Sequence, residues 1–448
     1  MMNRRVFLKG LSLVTMSALF PSLTFGSTPV NLSQVQFDST LYSNNEAQTI
    51  IIYLYGGASE LGGNLSNLNE IQEKSQNKYD LNKVTKTTNN FWSQAGGEAM
   101  ERMLTKGDMK IFRTCFRKDN PTKSHGECTF ENQRGLMNIE DPTYGAGIFS
   151  TLGKVLVNNS VVHSETILPF LTMEGESGLF SVGPFDVEKF LRPAAMNENL
   201  SNPYSRSLNY ELYNNTEWNS SPRPQETAIS VEMDNLAQSI NQNQNIQNAF
   251  DKRAELDTFI REQQAKTIPD GIVYPDTSLG KKLKVAIKIL TGNPDTKAIS
   301  LGGGGLGGWD DHSDAVSVYT SRMTDLMNSI EVALAHLEAE GKNNVSIIVF
   351  AEFGRNVNLN DSKGWDHGNN QNVYIFGGKD YFNPVGIIGE TQLQPTQDNN
   401  RLYTEPKANS YTFEPYAVAA TIYKMYGVTN PEVLTQGYGA IDAGLFKN

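Results

Sequence analysis

Histidine is scarce in this chain, with five in 448 residues, and cysteine is scarcer, with two, Cys115 and Cys128. Neither cysteine has any thiol partner but the other. In an oxidising compartment the pair would close the polar loop between them, and a thiol nucleophile or metal ligand is the alternative. Runs of lysine and arginine are missing, and the formal net charge is −11. A general nucleic-acid surface is thereby excluded, because phosphate neutralisation needs clustered cations. Beyond the N-terminus no apolar run is long enough to cross a bilayer, so the mature chain is expected to have no membrane span. No internal repeat is evident. What remains is a long chain with 38% hydrophobic residues, enough for a large core, either as one large α/β domain with insertions or as two domains.

The first residues stand apart. Arg4 and Arg5 are followed by Phe7, Leu8 and Lys9, then by an apolar stretch from Leu11 to Phe20, with small residues near Gly26. This order predicts a twin-arginine export signal over residues 1–26, ahead of a body over 27–448, and a periplasmic or extracellular destination. Chains exported by that route leave the cytoplasm folded, often after taking up a cofactor.

In the body, continuous apolar segments alternate with helical ones. Thr49–Tyr55, Met109–Phe116, Ile167–Met173, Ala298–Leu301, Val345–Phe350 and Val373–Phe376 read as strands. Ala99–Leu104, Leu279–Leu290, Val316–Leu337 and Tyr416–Tyr426 carry apolar residues at helical spacing. The alternation predicts an α/β fold, a doubly wound and mostly parallel sheet sandwiched by helices. Residues 197–275 differ, being rich in Asn, Gln, Ser and Tyr with helical spacing in their second part. They read as an inserted polar and partly helical subdomain or lid, or as a surface excursion with no role at the site.

Ligands of parallel sheets gather beyond the carboxyl ends of the strands, and the chemistry-bearing residues lie there. GGWDDHSD places Asp310 and His312 two apart, on one side of an extended segment, where a carboxylate and an imidazole can share a metal ion. Asp311 would face away, behind a ligand histidine, and Asp314 would cap the next helix. FAEFGRN follows the clearest strand and offers Glu352 as ligand or base, with Arg355 as a fork for an anionic group. GWDHGNN supplies Asp366 and His367. The metal candidates are therefore Asp310, His312, Glu352, Asp366 and His367, and the candidates for catalysis are Ser59 after the first strand, His125 after the second, and Arg355. His163 and His336 read as structural.

Taken in order, the export signal, GGAS, FRTCF with its downstream histidine, LGKKLKVAIKIL, GGWDDH, FAEFGR and GWDHG resemble an exported bacterial family, domain of unknown function 1501. That family is placed with the alkaline phosphatases, sulfatases and phosphoglycerate mutases. The resemblance implies an alkaline phosphatase-like sandwich with one or two divalent ions, zinc above all. It also implies hydrolysis of phosphate or sulfate esters, the substrate being a small anionic ester or one linked to polysaccharide. By position, Asp310 and His312 match one metal-holding group. The other is either Glu352 with His367, the preferred match, or the Asp366 string. Where the superfamily has a ligand aspartate after the first strand, this chain has Ser59 and Glu60. The alternative is a non-catalytic periplasmic binding or assembly protein that keeps the fold.

Overall fold

In the computed structural model, the described residues are 32–42, 46–135, 145–175, 177–182, 187–198, 200, 258–302, 308–395 and 400–447, with single residues at 232, 235 and 239. The export signal, most of the polar insertion and residues 303–307 lie outside them.

Eight strands form the central sheet. In chain order they are β1 (Gln48–Leu54), β2 (Met109–Phe116), β3 (Phe170–Thr172), β4 (Ala194–Ala195), β5 (Ala298–Gly302), β6 (Val345–Ala351), then β9 (Asn370–Gly377) and β10 (Ile387–Ile388). Between β6 and β9 a small two-stranded ribbon joins β7 (Gly354–Arg355) to β8 (His367–Gly368). The spatial order is β10-β2-β9-β6-β1-β5-β3-β4. Every pairing is parallel except those of β9 with β6 and with β2. The protein is thus a mixed α/β fold with a large, mostly parallel sheet. Strand ends expected at Tyr55 and Ile167 fall at Leu54 and Phe170. The third strand is cut short because Leu168 has a φ of 50° and Pro169 brings no N–H to a ladder.

The apolar runs are continuous because both faces of the sheet are covered. In β1, Ile50, Ile52 and Leu54 enter one core, and Ile51 and Tyr53 the other. The first core is closed by α2 (Gly97–Thr105), α5 (Ser278–Gly292) and α6 (Ala315–Ala339), which follow the short α1 (Leu68–Lys74) and, for the last two, α3 (His125–Arg134) and α4 (Ile148–Asn158) in the chain. The second core is closed by α4 and by α7 (Ala417–Met425). Helix α5 starts where Thr277 Oγ1 accepts the Gly280 N–H at 3.0 Å, a side-chain cap that satisfies one orphan donor of the first turn. At the start of α6, Asp314 stands in the cap position with φ 43°, but its side chain makes no cap bond. The expected disulfide is not formed. Cys115 and Cys128 are both free and buried, and Cys128 Sγ donates instead to the Thr122 carbonyl at 3.4 Å.

Among the described residues no helix is long and apolar enough to cross a membrane.

Candidate metal centre

The carboxyl ends of β1, β2, β5 and β6 lie along one edge of the sheet, and antiparallel β9 begins at that same edge. The loop after each parallel strand, and the turn before β9, therefore converge. Gly56 makes the closest approach possible. It has φ 99°, and a Cβ there would lie 2.5 Å from the Asp310 nitrogen. Only glycine lets the loop after β1 fold against the loop after β5. The Trp309 N–H closes this junction by donating to the Tyr55 carbonyl at 2.7 Å.

Four side chains meet there. His125 opens α3, Asp310 and His312 follow β5, and His367 precedes β9. One potential ligand atom from each lies within 4.8 Å of all the others. Asp310 Oδ1 is central, at 2.9 Å from His312 Nε2, 3.5 Å from His125 Nε2 and 3.6 Å from His367 Nε2. The Nε2 atoms of His312 and His367 are 3.1 Å apart.

The opposite nitrogen of each ring has its own partner. His125 Nδ1 lies 2.6 Å from Glu352 Oε2. His367 Nδ1 lies 2.8 Å from the Lys123 carbonyl, and His312 Nδ1 is 3.3 Å from Asp366 Oδ1. Carbonyl and carboxylate oxygens only accept, so the Nδ1 atoms of His125 and His367 are placed to donate, and a ring protonated there turns Nε2 to the cluster as a ligand atom. This is how proteins orient ligand histidines, with a carboxylate or carbonyl behind the ring. At 3.1 Å the two Nε2 atoms can share either a ring proton or a common cation.

Electrostatics point the same way. Burial pushes the Asp310 carboxyl up, but the hydrogen bond and charge of Arg355 outweigh it and hold the pKa below its ordinary value. Burial drives His367 down to about 4, and the Arg355 charge adds to that shift. His367 is therefore a neutral imidazole at physiological pH, the form that binds metals. The four side chains are between 23% and 47% exposed, so the centre has an open face.

Several candidates from the sequence take other places. Glu352 and Asp366 stand behind the histidines. Glu352 Oε1 accepts the Gly56 N–H at 2.7 Å and Oε2 holds His125. Asp366 Oδ2 is tied to Arg401 Nε at 2.9 Å. Arg355 is buried, with its donors spent inside the protein. Nε donates to the Gly57 carbonyl at 2.7 Å and Nη1 to that of Trp365 at 3.0 Å. Nη2 bonds the Gly56 carbonyl and Asp310 Oδ1, the latter at 2.6 Å. It braces Asp310 and has no fork left for a substrate anion. Ser59 is buried and caps its own turn, its Oγ accepting the Leu61 N–H at 3.3 Å. Asp311 pairs with Arg322, not with a histidine. His336 is buried in α6, 2.9 Å from the Tyr274 hydroxyl. His125 joins the metal-capable cluster itself. Its membership depends on the reach of the 117–124 loop, which no local motif encodes.

Fold and site together define an α/β protein with a candidate metal centre at the carboxyl edge of its sheet. The family model described as "Protein of unknown function (DUF1501)" matches residues 188–445, more than half of the chain, and the protein belongs to that family. The matched span includes Asp310, His312 and His367, while His125 precedes it. No curated protein matches the chain.

Proposed function

We propose that the protein is an exported, metal-dependent hydrolase of phosphate or sulfate esters, with an alkaline phosphatase-like fold and a zinc ion as cofactor. One observation carries this reading. Three histidines with occupied Nδ1 atoms turn their Nε2 atoms toward one carboxylate oxygen. Zinc bonds to nitrogen and oxygen of about 2.0–2.1 Å set tetrahedral edges of about 3.3–3.4 Å. The Nε2–Oδ1 and Nε2–Nε2 separations of 2.9, 3.1, 3.5 and 3.6 Å bracket that value. Imidazole with carboxylate suits zinc better than magnesium or calcium, which prefer all-oxygen shells.

A bound divalent ion supplies Lewis acidity to a phosphoryl or sulfuryl oxygen. The protein's own groups do the rest. Asp310 gives the centre its negative charge, Arg355 fixes that carboxylate, and Glu352, Asp366 and the Lys123 carbonyl stand behind the histidine rings. Arg401, 40% exposed beside Asp366, offers a cation at the rim for an anionic ester. The order of charged and apolar residues at the N-terminus supports export.

Elemental analysis of the purified, folded protein and turnover of a panel of phosphate and sulfate monoesters test the proposal. We expect bound zinc, and hydrolysis that is lost with the metal in a folded His312→Ala/His367→Ala double variant. Absence of metal, with folding unchanged in that variant, would refute it. Stoichiometric metal with no ester turned over would support the second reading, a binding or assembly module, which the burial of Ser59 and the full engagement of Arg355 favour.

A further inference from the structure

We infer that the centre takes a single divalent ion, and that the buried guanidinium of Arg355 is the fixed second cation beside it. This rests on the metal reading above and deepens it. The four donor atoms all lie within 4.8 Å of one another, close enough to make one ion's shell.

A second ion about 3.5–4 Å away, as in two-metal hydrolases, would need ligands of its own. Among the described residues, the carboxylates against the cluster have none to give. Both oxygens of Glu352 are engaged, one with the Gly56 N–H and one with His125. Both oxygens of Asp366 are engaged as well, with His312 and Arg401. Asp311 is held by Arg322. The chain has no spare histidine either. Of its five, three are in the cluster, His163 pairs with Glu165 at 3.0 Å, and His336 sits within α6 against Tyr274.

Arg355 takes up the charge that a second ion would balance. Its Nη2 is 2.6 Å from Asp310 Oδ1, and its Nη1 is 3.4 Å from His312 Nε2. Bonds to the carbonyls of Gly56, Gly57, Trp309 and Trp365 keep it from swinging away. A second dication on Asp310 would stand against this guanidinium with no solvent between them to screen the repulsion.

The test is a titration of the full-length, metal-stripped protein with Zn²⁺ by calorimetry and with Co²⁺ by visible absorption. We expect both to saturate at one equivalent per chain, the cobalt form with the intense band of a tetrahedral site. Two equivalents of comparable affinity, both lost in Asp310→Ala, would overturn the inference and leave the metal reading standing. No binding of either ion would overturn both. Glu352→Gln and Asp366→Asn should each still take one equivalent at reduced affinity. Complete loss of binding in either folded variant would make that carboxylate a direct ligand and overturn the inference. Arg355→Gln, if folded, should bind Zn²⁺ about tenfold more tightly, the size of an ordinary shift from one neighbouring charge, and unchanged affinity would remove the role given to the guanidinium. If that variant does not fold, the wild-type stoichiometry decides.

Discussion

His367 shows how much a single ring depends on its surroundings. Its folded pKa is near 4, against 6.5 for the free side chain. The folded state resists the proton that the unfolded chain accepts between those values. Stability is therefore full above pH 6.5 and declines as pH falls through the window down to about 4. Thermal melts of the metal-free protein should show this decline, and His367→Gln should flatten it; an equal slope in the variant would place the acid sensitivity elsewhere. Glu352 is argued on the same footing. It orients His125 and stands outside the metal-capable cluster, so on the metal reading Glu352→Gln should weaken metal binding by about 10–100-fold and leave the fold intact, whereas a change below about threefold would show that His125 needs no such support. The sequence revealed Asp310, His312 and His367 through their spacing and glycine context. It did not reveal that Glu352 and Asp366 would stand behind the rings. A carboxylate at a strand end is equally placed to bind an ion or a histidine, and only the loop geometry chooses.

Helix α3 connects core to site. Its first residue is His125, and its body is anchored by a buried network. Arg117 Nη1 lies 2.5 Å from Glu131 Oε2 with both side chains almost wholly buried, and Tyr416 closes on the same oxygen at 2.9 Å. Asn132 Nδ2 donates to the carbonyls of Ala351 and Glu352, at 2.9 and 2.8 Å. The helix bearing one metal-capable residue is thus fastened to the strand end that bears its orienting carboxylate. Removing one partner of a buried ion pair costs about 3–5 kcal/mol, because the other charge is stranded. Glu131→Ala should therefore lower unfolding free energy in urea by about that amount. Glu331→Ala, which breaks the exposed Arg102–Glu331 pair, should cost no more than about 1 kcal/mol. Comparable losses in the two variants would mean that the network carries no special load. This helix was illegible in the sequence. HGECTFENQR has little apolar periodicity, since its inward side is polar and bonded rather than greasy. Six of the eight strands of the central sheet and the long helices α5 and α6 were legible because burial on both sheet faces leaves an unbroken apolar run, and burial on one helix face leaves a 3.6-residue repeat; the two-residue strands β4 and β10 are too short to leave one.

Across the whole molecule the centre gathers loops from distant parts of the chain, so an ion bound there would tie the ends of β2 and β5 to the start of β9. The parallel order made the shared edge foreseeable; which side chains would meet on it depended on loop paths that single-sequence patterns do not encode. The unfolded chain has no such arrangement, and binding to the folded state alone stabilises it by about 4 kcal/mol when free ion stands at a thousand times its dissociation constant. Zinc should accordingly raise the melting temperature of the stripped protein, and a chelator should reverse the rise. In His312→Ala/His367→Ala the zinc-dependent increment should vanish while the metal-free melting temperature changes little, because both rings are at least one-fifth exposed. An increment that survives in the double variant would place the stabilising ion at another site, since His125 and Asp310 alone offer too few donors to close a zinc shell.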